Sequence, residues 1–166
     1  AVGVERKETV DRIEALTRRL GLQPADRGPV RFARDAARLA EETGKGHDGM
    51  FCGAAIELGG GHTITGKNSP LLHSASAAML NAIKTLAGIP DSIDLLPPAV
   101  LQNLAHLKRD VMGLSAESLD VQEVLTALAI SAAVNPAADA GLKALATLKG
   151  CEMHMTHIPT QGDLVG

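Results

Sequence analysis

Between Met50 and Pro70 the chain passes from a helical pattern to a two-residue alternation and back, and no other stretch limits the fold as much. Residues 51–58, FCGAAIEL, have strand length, Gly59-Gly60-Gly61 is a turn, and residues 62–66, HTITG, alternate polar with apolar using β-branched side chains. Together they predict a β-hairpin. Ser69-Pro70 then reads as a cap and first helical position for LLHSASAAMLNAIKTLAG, which Gly88 and Pro90 stop. A hairpin that feeds a helix belongs to an α/β architecture, since the apolar faces of a sheet need helices to cover them.

The same letters from Gly61 to Lys67, G-H-T-I-T-G-K, spell most of a phosphate-binding loop. The physics of such a loop is missing. There the lysine and a following Ser or Thr open the helix, so that its N-terminus faces the phosphates and the hydroxyl reaches magnesium. Here Asn68 holds the hydroxyl position, and Thr63-Ile64-Thr65 suits a strand. The hairpin is the expectation.

On the N-terminal side, Val4, Val10, Ile13, Leu16 and Leu20 recur at helical spacing and Gly21 ends the run. A second helix is expected from Pro29 through Phe32, Ala36, Leu39 and Ala40, with Gly44–Gly49 as linker. On the C-terminal side a short strand, Ser92–Leu96, precedes a helix opened by Pro97-Pro98. Asp120 and Glu123 are spaced as a capping box for VQEVLTALAISAAV, a helix apolar on nearly every side and expected to be deeply buried. Asn135-Pro136 breaks it, a last helix follows, and Cys151–Pro159 alternates as a strand. The expected fold is α/β: a mixed sheet of about four strands with the hairpin and flanking helices over residues 50–166, preceded by a helical arm over 1–49.

Several function classes fall away on composition. Phe32 and Phe51 are the only aromatics in 166 residues, and the net charge is −3. Single-stranded nucleic-acid binding wants aromatic platforms and any nucleic-acid binding wants a basic footprint, so no nucleic-acid partner is expected. No apolar run reaches the roughly 18 residues of a membrane span, and no membrane partner is expected. Two distant cysteines, Cys52 and Cys151, make no secreted disulfide framework, which leaves a reducing cytoplasm as the expected location.

Cys151-Glu152-Met153-His154-Met155-Thr156-His157 looks like a metal cluster, but a strand sends Cys151, Met153, Met155 and His157 to one face and Glu152, His154 and Thr156 to the other. Cys151 and His154 then share no ion. Glu152, His154 and Thr156 become candidates to line a pocket, as do Asn68, Ser69 and His73 at the strand-to-helix junction. No metal and no cofactor are expected.

A hairpin followed by a helix that carries His73 near its start resembles the cytidine-deaminase-like layout. That resemblance implies His-x-Glu at the first helix and Pro-Cys-x-x-Cys at the second, holding a zinc-bound water and its acid/base group. His73 fits its slot, but Ala75 stands in place of the Glu, and Pro98 and Leu101 stand where the thiolates belong. The resemblance therefore implies the fold without the deaminase chemistry.

The stretches AAIELGGGHTITGKNS, SAAMLNAIKTLAGI, PPAVLQNLAHLK and, above all, Glu123–His157 are similar to the C-terminal part of the bacterial family catalogued as domain of unknown function eighteen forty-six. Members of that family are much longer, carry a preceding nucleotide-loop-like region, and are sometimes labelled ATP-dependent peptidases without a supporting mechanism. The start at Ala1 without Met and the end at Gly166 agree with a C-terminal fragment. The resemblance carries over no catalytic residue. It implies a non-catalytic domain that packs on the N-terminal remainder of its parent or on a second copy of itself. The alternative is one wall of a composite nucleotide- or small-molecule site.

Overall fold

The computed structural model describes residues 6–166, so Val4 of the first predicted helix lies outside the described residues. Helix α1 spans Lys7–Leu20 and ends on Gly21, as its pattern predicts, yet none of its residues is buried. After a 3-10 turn at Pro24–Asp26, α2 covers Gly28–Glu42 and buries Val30, Ala33, Ala36 and Ala40. The hairpin follows as β1, Gly53–Glu57, and β2, Thr63–Lys67, in register Ala54 to Gly66 and Ile56 to Ile64. Strand β3, Glu152–Met155, pairs with the other side of β1, antiparallel, through Ala55 to His154.

The register explains why helices cover both faces. Ala54, Ile56, Ile64, Gly66, Met153 and Met155 share one face of the sheet, and Gly53, Ala55, Glu57, Thr65 and His154 share the other. A side chain on Gly66 would lie 2.6 Å from the Ser74 carbonyl oxygen of α3 (Ser74–Leu86), and one on Gly53 would lie 2.6 Å from the Ala37 amide of α2. Two glycines thus let two helix backbones come down on opposite faces. Behind α3 lies an aliphatic core in which Ile83, Val124 and Leu128 are fully buried, Val124 and Leu128 being on α5 (Val121–Ala132).

Three expectations are corrected. The sheet has three strands among the described residues, order β2-β1-β3 and wholly antiparallel, not about four in a mixed sheet. Ser92–Leu96 pairs with no strand: Leu95 and Leu96 are buried, and the Asn135 amide donates to the carbonyls of Asp94 and Leu95 at 3.4 and 3.3 Å, holding a loop. The helix after the hairpin begins at Ser74, five residues beyond Ser69, because the Ser69 hydroxyl accepts from the Leu71 and Leu72 amides in a turn. The chain then pairs with a distant segment, the His73 amide donating to the Leu119 carbonyl at 3.0 Å. Lys67 consequently ends a strand and does not open a helix.

The remaining helices are α4, Pro98–His106, which runs into a π-turn at Leu107–Val111; α6, Pro136–Ala144; and α7, Gln161–Val165. The α5 capping box forms, with the Glu123 amide donating to the Asp120 carboxylate at 3.0 Å and Glu123 reaching back to the Asp120 amide. Although α5 is apolar on nearly every side, it buries one face and leaves Ile130 71% exposed. No helix among the described residues is long and apolar enough to cross a membrane.

Candidate functional site

Three segments meet where α3 begins. His73 is its N-cap residue and Ser74 its first helical residue, and the helix starts there with no side-chain cap. His157 follows β3 on the face that the alternation of that strand assigns it, toward α3, and its Nδ1 lies 3.1 Å from the Ser74 hydroxyl. Asp163 arrives on α7. The Thr160 hydroxyl accepts from the Asp163 amide, while the Asp163 carboxylate accepts from the Thr160 amide at 3.1 Å and its hydroxyl at 3.0 Å, which fixes this five-residue helix.

The Asp163 carboxylate is also the hinge of the cluster. It accepts from His73 Nδ1 at 2.9 Å and from the Val121 amide, the first of α5, at 3.3 Å. His157 Nε2 lies 3.6 Å from the same carboxylate and has no hydrogen-bond partner, although it is shielded from solvent. The Asp163 side chain is 0% exposed, and those of His73 and His157 are 18% and 19% exposed. The two rings meet edge to face with centroids 6.0 Å apart.

Burial alone would push the Asp163 carboxyl up. The nearby imidazole of His157, the hydrogen bond from His73 and the Thr160 amide more than offset it and hold the group well below the usual carboxylate range. An ionised carboxylate only accepts, so His73 carries its proton on Nδ1. For His157, Nε2 faces that carboxylate and Nδ1 is left to accept from Ser74. A hydroxyl bonded to one imidazole thus lies beside a second imidazole bonded to a fixed negative charge, groups of the kind that transfer protons.

This set borders a pocket of about 230 Å³ lined by Cys52, Asn68, Ser69, His73, Ser74 and His157, among others. Burial pushes the Cys52 thiol up, which keeps it protonated and poorly nucleophilic at neutral pH. Asn68 and Ser69 reach the pocket, but their polar atoms also hold backbone: Asn68 accepts from the Cys52 amide at 2.8 Å and donates to the Met50 carbonyl at 3.0 Å.

Glu152, His154 and Thr156 do not join His73. Glu152 and His154 sit on the α2 face of the sheet, where Glu152 pairs with Arg27. His154 is held below the usual imidazole range by burial and by the charges of Arg27 and Arg34, against the opposing effect of Glu152. The Thr156 hydroxyl accepts from the Gly53 amide at 2.9 Å and closes the end of the sheet.

Ser74, His157, Thr160 and Asp163 are site residues that sequence reasoning missed. Thr160-x-x-Asp163 has the spacing of a capping box and was the one local signal available; nothing local ties it to His73. The cluster also brings a second imidazole and a carboxylate to His73, with ligand atoms all within 4.8 Å of one another. A cation there would have to displace the Nδ1 proton that His73 donates to Asp163 and compete with the donors the carboxylate already serves. At the zinc slots implied by the deaminase-like layout the residues do not fit: Ala75 is buried in the core, and none of Pro97–Leu101 lines the pocket.

Comparison with known proteins follows the same segments. The family model described as "Domain of unknown function DUF1846, C-terminal" matches residues 25–165, from the turn before α2 through α7. A UPF0371 protein of Clostridioides difficile strain 630 is 39% identical over 157 residues, covering 95% of this chain and 31% of the relative. One from Clostridium botulinum strain Eklund 17B is 39% identical over 163 residues, 97% and 32% of the two chains. One from Clostridium tetani strain Massachusetts is 36% identical over 153 residues, 92% and 30%. The chain thus spans about a third of the length of these relatives, which implies a larger parent protein. On the extent of the family match and the near-complete coverage by these relatives, the chain belongs to the DUF1846 family and corresponds to its C-terminal domain.

Proposed function

We propose that this domain forms one wall of a composite small-molecule site completed by the N-terminal remainder of its parent. The observation that carries the reading is the convergence of His73 and His157 on the buried Asp163 carboxylate beside the pocket. A carboxylate shielded from water and aimed at two imidazoles serves acid–base work better than it serves a fold that other capping groups could hold. The pocket, at about 230 Å³, is smaller than the roughly 300–1,000 Å³ usual for a complete ligand site, which supports a missing second wall.

Helix α1 supports the same arrangement. It exposes Ile13 at 56% and Leu20 at 63% and buries nothing, so its apolar stripe is the natural contact for the remainder of the parent chain. Helix α1 then acts as an arm in the sense of contact, whereas α2 packs on the sheet. The cytidine-deaminase-like layout also belongs to this reading. The antiparallel hairpin, the helix after it with His73 at its cap, and helices on both faces favour that layout, with the zinc-water chemistry lost at Ala75, Pro98 and Leu101. A cytoplasmic location fits the two unpaired thiols.

The test is thermal stabilisation of the full-length parent by a panel of nucleotides and small metabolites, repeated on this chain. Stabilisation of the parent that disappears in His73→Ala supports the composite site. A flat response in both proteins, or one indifferent to His73→Ala, leaves a purely structural domain.

A further inference from the structure

Beside the His73 pocket, and sharing Asn68 and Ser69 with it, lies a second and larger cleft of about 630 Å³. Two lysines line it, delivered by unrelated elements. Lys45 sits in the turn that ends α2, its amide donating to the Ala40 carbonyl at 2.8 Å, and Lys67 is the last residue of β2. Three other lysines have partners: Lys84 on the Asp91 carbonyl, Lys108 on Glu123 and Lys143 on Asp139. Among the described residues, no carboxylate forms an ion pair with Lys45 or Lys67.

The rest of the lining suits a compact anion. Gly44, Gly46 and Gly66 contribute no side chains, Thr65 adds a hydroxyl, and no acidic residue lines the cleft. A chain of net charge −3 that leaves two ammonium groups uncompensated in one cleft holds a local positive field in a negative molecule. That field suits a small polyanion of two or three charges, whereas a long polyanion would gain little from a chain of net charge −3.

We propose that this cleft takes the phosphate group of a small phosphorylated ligand, with Lys45 and Lys67 as its cationic contacts and the remainder of the ligand directed past Asn68 and Ser69 toward His73. The proposal rests on the composite-site reading and names its ligand class. It also returns Lys67 to phosphate recognition by a different route, from a strand end and not from a loop at a helix start.

The test uses pyrophosphate and inorganic phosphate as probes, titrated into the isotope-labelled 166-residue chain at constant ionic strength with chloride as the control. Saturable amide shifts are expected at Lys45, Gly46 and Lys67–Ser69. Loss of one charge-assisted contact weakens binding roughly tenfold, so Lys45→Gln and Lys67→Gln each show that loss, and the double variant shows no saturation. Lys149→Gln, in a separate cleft, binds as the wild type does. His73→Asn keeps phosphate binding, because His73 holds the other end of the ligand. Absence of saturable shifts at these amides, or unchanged binding in the double variant, overturns the proposal. If phosphate fails while the parent keeps a His73-dependent response to other metabolites, only the ligand class falls. If both fail, the composite site falls with it.

Discussion

Removing the Asp163 side chain should cost more than any other single polar change in the domain. Asp163→Ala strands the Thr160 amide and hydroxyl, the Val121 amide and His73 Nδ1, all now within 3.3 Å of the carboxylate, at a site where that side chain is 0% exposed. A single stranded donor costs about 1–3 kcal/mol, and a broken buried charged network about 3–5 kcal/mol, so the loss expected at pH 7 is about 3–5 kcal/mol. With a urea slope of about 2 kcal/mol/M for a domain this size, the midpoint moves down by roughly 1.5–2.5 M. Two helix starts are affected at once, since the carboxylate accepts from the N-cap residue of α7 and from the first amide of α5.

The loss should depend on pH with a fixed sign. The folded carboxyl is held below its ordinary value of about 3.9, so the unfolded chain binds the extra proton in acid. The contribution of Asp163 is then complete above about pH 5 and fades as the pH falls through about 4 and toward the folded value. Urea unfolding of wild type and Asp163→Ala between pH 7 and pH 3.5 should show two stability curves that approach each other in acid. A difference under about 1 kcal/mol at pH 7, or a gap that stays constant down to pH 3.5, would refute the reasoning.

Other substitutions probe the frame that holds the site. Gly66→Ala forces a methyl into the α3 backbone and should cost about 3 kcal/mol or more, whereas Gly59→Ala, with open space around it, should stay within about 0.5 kcal/mol by the same denaturation assay. Leu128→Ala, which empties a fully buried position, should cost about 2–5 kcal/mol. The pair Ile13→Ser and Leu16→Ser should leave this chain within about 0.5 kcal/mol of wild type, because both positions are exposed, yet lower the unfolding temperature of the parent; equal effects in the two proteins would deny α1 its role as a contact.

What could be read from the sequence was what local chemistry decides. The hairpin is written in Gly59–Gly61 and the alternation after it, and the start of α5 in Asp120 and Glu123. The errors arose where distant segments compete with local signals. Ser69-Pro70 has the form of a helix start, but pairing between Leu72 and Leu119 keeps the chain extended until Ser74. Ser92–Leu96 has the composition of a strand, but a strand needs a free edge beside it, and Asn135 takes its carbonyls instead. For the site, His73 was legible from its place after the hairpin. His157 was legible only as a member of one strand face, and Asp163 only as half of a capping box. Their meeting is tertiary: β3 pairs with the central strand β1 and so ends beside α3, while α7 folds back on α5, where Gly162 leaves room for the Asp120 carboxylate.

Nitrogen-15 NMR of the imidazole rings at neutral pH examines that meeting without any ligand. His73 protonated on Nδ1 and His157 carrying its proton on Nε2, with both patterns disturbed in Asp163→Asn, is the result expected from the geometry around the carboxylate. His73 found with its proton on Nε2, or rings indifferent to Asp163→Asn, would mean that the two histidines and the carboxylate do not form one connected site.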